Sequence, residues 1–185
     1  MPTAERQLLL NDQALSAALA QMAQQIVRQT PDPSLLVFIG VQRRGVELAA
    51  RLAVAARGLT GVDVPRGALD ITLYRDDLEA VGPRPLVGPT LLPVDLAGRH
   101  AWIVDDVLFT GRTVRAALDE LADFGRPARI GLAVLVDRGG RELPIQADVV
   151  GEQVATGPHD RVEVFVRELD GRDAVEVVRA VRAGV

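Results

Sequence analysis

The residues most suited to chemistry lie in "AWIVDDVLFTGRT", residues 101–113, where an apolar run ends in two adjacent carboxylates, Asp105 and Asp106. Shortly after them, Thr110-Gly111-Arg112-Thr113 makes a small-residue turn that runs into a helical pattern. A helix N-terminus presents backbone amides and the positive end of its dipole, so such a turn suits a phosphate. Gly111 lets the backbone come close, while Thr110 and Thr113 add hydroxyl donors. The carboxylates would repel that phosphate. They suit neutral hydroxyls, which carboxylates accept from strongly, and a nearby Mg²⁺. A terminal phosphate with vicinal hydroxyls a few bonds away describes a ribose 5-phosphate. An acidic pair can also do no more than end a strand and cap a helix. The phosphate-type turn so close behind it favours chemistry here, provided the context is strand, loop, helix.

The elements that must position these residues are legible in outline. Residues 12–28 carry apolar positions at Leu15, Leu19, Met22, Ala23 and Ile26, which predicts a helix with Asp12 as its N-cap. "LLVFIG" (35–40) predicts a buried strand, and 44–58 a second helix stopped by Gly58. "GALDITL" (67–73) predicts another strand. From Arg75 to Pro93 the chain has four of its eleven prolines and no clear period, a long loop of the kind that is functional or mobile. "AWIV" (101–104), a helix over 112–125 and a strand over 129–136 complete the alternation. Strands alternating with helices predict an α/β protein with a central, mostly parallel sheet flanked by helices. In such a sheet ligands bind beyond the carboxyl ends of the strands, where Asp105 and Asp106 fall. After Asp137 the pattern changes, and 161–169 and 173–181 predict a C-terminal β-hairpin around Asp170-Gly171, although the alanines of the last run also suit a helix.

Composition narrows the chemistry. The 185 residues, 48 % hydrophobic, suit one domain with a substantial core. No apolar run is long enough to span a bilayer, and no basic-then-apolar leader opens the chain, so a cytoplasmic protein with no membrane partner is expected. There is no cysteine, which excludes disulfides, thiolate nucleophiles and cysteine-bound metals. All 21 basic residues are arginine, which removes Schiff-base chemistry and the lysine of P-loop nucleotide hydrolases. His100 and His159 lie far apart, without ligand spacing. A net charge of −4 opposes indiscriminate nucleic-acid binding, and no DNA partner is expected.

"IVDDVLFTGRT" is similar to the phosphoribosyl-pyrophosphate (PRPP) motif of the type I phosphoribosyltransferases. With "DITLYRDDL" (70–78), "GRP" (125–127) and "LAVLVDRGGRELPI" (132–145), the chain resembles the pyrimidine operon regulators that double as uracil phosphoribosyltransferases. The resemblance implies a type I phosphoribosyltransferase fold in one domain over 1–185, with a core about 30–137 and a small hood from 1–29 and 138–185. It implies that Asp105 and Asp106 bind the ribose hydroxyls. The segment Val107, Leu108, Phe109, Thr110, Gly111, Arg112 and Thr113 would hold the 5-phosphate. Gln42, Arg43 and Arg44, in "GVQRRG" (40–45), would meet the pyrophosphate, and Arg forks do suit phosphate oxygens. Tyr74, Arg75, Asp76 and Asp77 would begin the catalytic loop 74–93, with Arg75 adding to the charge balance. Val136, Asp137 and Arg138 would form the uracil pocket. The implied reaction joins uracil to PRPP, with Mg²⁺, to give UMP and pyrophosphate. The implied assembly is a homodimer or higher homo-oligomer.

The same family binds a pyr mRNA hairpin when UMP is bound, and there this chain departs from the pattern. Helix 12–28 has one basic residue, Arg28; Gly140 and Gln146 stand where the family has His and Arg; and 146–160 has no Arg. Each lost cation weakens RNA binding. Arg138 and Arg141 remain as RNA-binding candidates. Three readings stay open: a bifunctional enzyme and RNA-binding regulator, a nucleotide-sensing RNA-binding protein with vestigial catalysis, and a salvage phosphoribosyltransferase for another base, such as a purine, without an RNA role.

Overall fold

In chain order the elements are β1 (Glu5–Leu10), α1 (Asp12–Gln29), β2 (Leu36–Val41), α2 (Arg44–Thr60), β3 (Arg66–Leu69) and β4 (His100–Leu108). They continue as α3 (Arg112–Asp123), β5 (Arg129–Asp137), β6 (Val149–Gln153), β7 (Arg161–Phe165), α4 (Arg167–Asp170) and β8 (Ala174–Arg179). These come from a computed structural model that describes residues 5–71, 90–92 and 94–180. Five strands pair in parallel in the order β3-β2-β4-β5-β6, and β1, β8 and β7 make a separate antiparallel sheet. Every residue of β2 is buried, as a strand covered on both faces requires.

Two apolar layers hold the parallel sheet. On one face Leu15, Leu19, Met22 and Ile26 of α1 join Leu48 and Leu52 of α2 over Phe38, Trp102, Val104 and Leu135. On the other, Val114, Ala117 and Leu121 of α3 cover Val37, Ile39, Ile103 and Val134. The antiparallel sheet closes one end of the first layer through Val164 and Val175. The expected α/β architecture with a small hood is thus present.

Several local expectations change. The N-cap of α1 is Asn11, not Asp12: its extended backbone lets the side chain accept the Ala14 amide at 2.9 Å. The helix expected to stop at Gly58 continues to Thr60, because the left-handed residue is Gly61 at φ 73°, whose amide bonds Arg57 O. The strand expected over 67–73 leaves its ladder after Leu69, as the Asp70 amide turns to the Thr90 hydroxyl at 3.1 Å. Strand β4 extends past Val104 to Leu108. The C-terminal hairpin forms, and the alanine-containing run is a strand, but no two-residue turn joins it. The Asp170 carboxylate accepts the Val166 amide at 2.9 Å, closing one helical turn, α4, which Gly171 ends at φ 73°.

Two strands were not foreseen. β1 is exposed over most of its length, and β6 contains Gly151. A β-carbon at Gly151 would lie 2.7 Å from Leu135 O and 3.0 Å from Met22 Sδ, so glycine there lets α1 lie close on the sheet. β6 therefore belongs to the parallel sheet although it falls within 138–185, and α1 packs on that sheet although it falls within 1–29.

Trp102 shows how little slack this layer has. It is 1 % exposed, and a β-carbon on Gly131 of the neighbouring strand would sit 2.7–2.9 Å from its ring atoms. Gly131→Ala should therefore destabilise the fold by about 2 kcal/mol, the usual scale of overpacking, read as a lower urea midpoint at unchanged slope.

Candidate active site

The acidic pair lies inside the last turns of β4 rather than beyond it. A regular strand alternates faces, yet Val104 and Val107 both pack on the α1/α2 layer while Ile103 and Leu108 pack on the α3 layer. The alternation changes phase at Asp105–Asp106. There each carboxylate accepts the next amide: Asp105 Oδ1 takes Asp106 N, and Asp106 Oδ1 takes Val107 N, both at 2.9 Å. Asp105 is 5 % exposed, and Asp106 is half-buried. Asp106 is thus the carboxylate of the pair left partly open to solvent.

The loop after β2 lies against this strand end. Gly45, in the first turn of α2, sits so close to β4 that a β-carbon there would be 2.4 Å from Val104 O and 3.4 Å from Asp105 Cα. A β-carbon on Gly40 would meet Val46 Cα at the same 2.4 Å. Both glycines are therefore needed for close approach. The Gln42–Arg43 peptide is cis, and the Gln42 amide bonds Leu69 O at 3.0 Å. Arg43 stands exposed at the N-cap of α2, with no side-chain capping bond. Arg44 points to the hood instead, donating to Asp170 at 2.9 and 3.3 Å.

The turn before α3 is shaped by glycine. Its N-cap is Gly111 at φ 92°, Thr110 Oγ1 accepts the Arg112 amide at 3.3 Å, and its first turn carries no acidic residue. Residues 142–145, which carry no role in the sequence pattern, brace it. Thr110 O accepts the amides of Glu142 and Leu143 at 3.0 and 3.1 Å, and Arg112 pairs with Glu142 at 2.9 Å. Leu143 and Ile145 approach Gly111 closely, at 3.3–3.4 Å from where a β-carbon would stand.

At the end of β5, the expected base-binding residues Val136, Asp137 and Arg138 are all buried. A cavity of about 300 Å³ opens beside them, lined by Asp137, Arg138, Gly139, Gln153, Val154 and Ala155. The two arginines put forward for RNA turn inward. Arg138 is 8 % exposed and donates to Thr156 Oγ1, Gly157 O and Asp160 O, with its guanidinium 3.9 Å from the centre of the Phe109 ring. Burial lowers its pKa, against the pull of the Asp160 carboxylate. Arg141 pairs with Asp137 at 2.5 Å and donates to Phe109 O, Gly139 O and Ile145 O. Its fork ties the phosphate turn to the end of β5. Gly140 leaves room for Phe109, since a β-carbon there would fall 2.4 Å from the ring.

Among the described residues no group of three or more His, Asp or Glu side chains could hold a metal by itself. Tyr74, Arg75, Asp76, Asp77 and the loop they begin lie outside the described residues up to position 89. The turn before α3, the acidic pair and exposed Arg43 nevertheless lie at the carboxyl edge of one parallel sheet, where open α/β sheets bind ligands.

The phosphoribosyl transferase domain model matches residues 6–165. The chain is 52 % identical to the bifunctional protein PyrR of Deinococcus radiodurans, over 95 % of this chain and 96 % of that one. It is 53 % identical to PyrR of Chloroflexus aurantiacus at the same coverage. The chain belongs to the PyrR branch of the phosphoribosyl transferase family. Among solved structures it matches a hypoxanthine-guanine phosphoribosyltransferase of Bacillus anthracis at TM-score 0.70 and 20 % identity, covering 95 % of this chain and 99 % of that one. The hypoxanthine phosphoribosyltransferase of Trypanosoma cruzi matches at TM-score 0.69 and 22 % identity, covering 95 % of this chain and 97 % of that one. These two share the fold.

The segment that walls the base-side cavity depends on Asp160. The amides of Gly157 and Ala180, at 2.8 and 3.0 Å, hold its carboxyl below the usual carboxylate range, with Arg179 adding to the effect. A lowered folded-state pKa stabilises above the unfolded value and is lost as pH falls through the folded one. Asp160→Asn should therefore lower the urea midpoint near about pH 7, and the gap from the parent should close below about pH 4.

Proposed function

We propose that this PyrR-family chain is a uracil phosphoribosyltransferase that also regulates pyrimidine synthesis by UMP-dependent binding to pyr mRNA. The observation that carries the catalytic part is the seat of Gly45 on β4, which sets an exposed arginine and a half-buried aspartate at one sheet edge beside an anion-ready turn. In the proposed reaction the bond between ribose C1′ and the pyrophosphate oxygen breaks, and pyrophosphate leaves with its electron pair. Uracil N1 bonds to C1′ and releases its proton to water. The ribose passes through an oxocarbenium-like state, as in other glycosyl transfers.

Each residue set has a share. The amides opening α3, with Thr110 and Thr113, would grip the 5-phosphate, and Leu143 and Ile145 would keep the turn in place. Asp105 and Asp106 would hold the ribose hydroxyls, and their charge would complement the ribosyl cation. Gln42 and Arg43 would meet the departing pyrophosphate, joined by Arg75. Uracil would lie in the cavity beside Asp137 and Gln153, where backbone groups of 136–138 are within reach. Asp105 and Asp106 would hold a Mg²⁺ through water, and the ion would neutralise charge on the leaving group. Such a role places the protein in the cytoplasm.

The regulatory part rests on the bifunctional relatives. Because Arg138 and Arg141 are committed internally, RNA phosphates would be met by other arginines of the surface, such as Arg28 or Arg161. A second copy would widen that surface.

Labelled uracil incubated with PRPP and Mg²⁺ should give UMP. Asp106→Asn should fold normally yet lose at least about 100-fold in kcat/KM, the scale of removing one transition-state charge partner. Unchanged turnover in that variant would take Asp106 out of the mechanism. Leader RNA in a gel-shift series should bind more tightly with UMP and weaken steeply with salt. Leader RNA that does not shift with or without UMP would leave a salvage enzyme alone.

A further inference from the structure

Arg44 follows Arg43 in the same loop, yet the two are used differently. The Arg44 guanidinium forms a two-pronged bond with the hood: Nη2 to Asp170 Oδ1 at 2.9 Å and Nε to Oδ2 at 3.3 Å. Asp170 is fixed before Arg44 reaches it. Its Oδ2 accepts the Val166 amide at 2.9 Å, and its own amide bonds Val166 O at 2.7 Å. The two side chains are 35 % and 19 % exposed, so the pair is partly shielded from water. Burial alone would push the Asp170 carboxyl up, but the Val166 amide and the Arg44 guanidinium outweigh it and hold the group below the usual range.

A second clamp runs along the same helix. Arg51, two turns beyond Arg44 and so on the same side of α2, grips Glu168 at 2.6 and 3.0 Å and Asp173 at 2.8 Å. Both clamps land on α4 and the residues just after it. They differ in what lies beneath them. Arg44 is the first residue of α2, between exposed Arg43 and Gly45, which rests on the Val104 carbonyl. Any shift of this turn carries Arg43 with it, and moves the contact with the strand that bears the acidic pair. Arg51 sits well inside the helix, and no such neighbours depend on it.

We propose that Asp170 is a positioning residue for phosphoribosyl transfer. By holding Arg44 in a fixed fork it sets the first turn of α2, and it leaves Arg43 as the arginine of this loop that meets pyrophosphate. The inference rests on the function proposed above.

The test uses Asp170→Asn, Arg44→Lys, their combination, and Glu168→Gln as a control that loosens α4 without touching Arg44. The readouts are the Kd for PRPP with Mg²⁺ by calorimetry and the separate KM values for PRPP and uracil. Asp170→Asn and Arg44→Lys should each weaken PRPP binding and raise its KM about tenfold, with the KM for uracil within about twofold, as expected when a distant change misplaces one binding loop. The double variant should be no worse than the poorer single one, because both remove the same fork. Glu168→Gln should keep PRPP affinity within about twofold. A lower melting temperature in Asp170→Asn with unchanged PRPP affinity would reduce the pair to hood adhesion and overturn the proposal. Losses that multiply in the double variant would overturn it as well. If the unmodified chain binds no PRPP, the proposed function fails and takes this inference with it. If it binds and turns over PRPP while Asp170→Asn does the same, only the inference falls.

Discussion

The site depends on a steric constraint: α2 begins with its backbone against β4, where no β-carbon fits. Gly45 makes that contact, and Gly40 clears the path of the chain from β2 into the helix. With larger residues the helix would stand off the sheet and the arginine loop would leave the acidic strand end. The apolar layers add to the same effect. Leu48 and Leu52 of α2 pack on Phe38 and Trp102, so the position of the loop is set by a buried core rather than by its own flexible side chains. A loop placed by packing would need little reorganisation on meeting the proposed pyrophosphate.

Arginine does work in this chain that its count does not reveal. Arg138 and Arg141 spend their donors on backbone carbonyls and on Thr156 and Asp137, tying together the phosphate turn, the end of β5 and the crossing into β7. A planar fork can satisfy several fixed acceptors at once, which a lysine ammonium does less well. In a chain whose basic residues are all arginine, charge alone is therefore a poor guide to nucleic-acid contacts.

How much was legible from sequence follows the physics of each segment. The buried strands and amphipathic helices were readable because their periodicity is imposed by the core. The glycine turn that opens α3 was readable because glycine, threonine and a helix start are contiguous. β1 and β6 were not, since an exposed strand and a glycine-centred one carry no clear period. The bracing of Thr110 by Glu142 and Leu143 spans about thirty residues, and the fork from Arg44 to Asp170 spans 126. Contacts so distant in sequence leave no local signal. The burial of Asp105 but not Asp106 was equally hidden, because it comes from a change of phase within β4.

Trp102 is the chain's one tryptophan, almost wholly shielded and seated beside Gly131 in the sheet's interior. Its indole is a built-in optical gauge. Native emission will be blue-shifted and hard for an aqueous quencher to reach, and it will redden when the layers part. Since the ring lies several residues back along β4 from the acidic pair, that signal follows the integrity of the interior largely apart from events at the sheet edge.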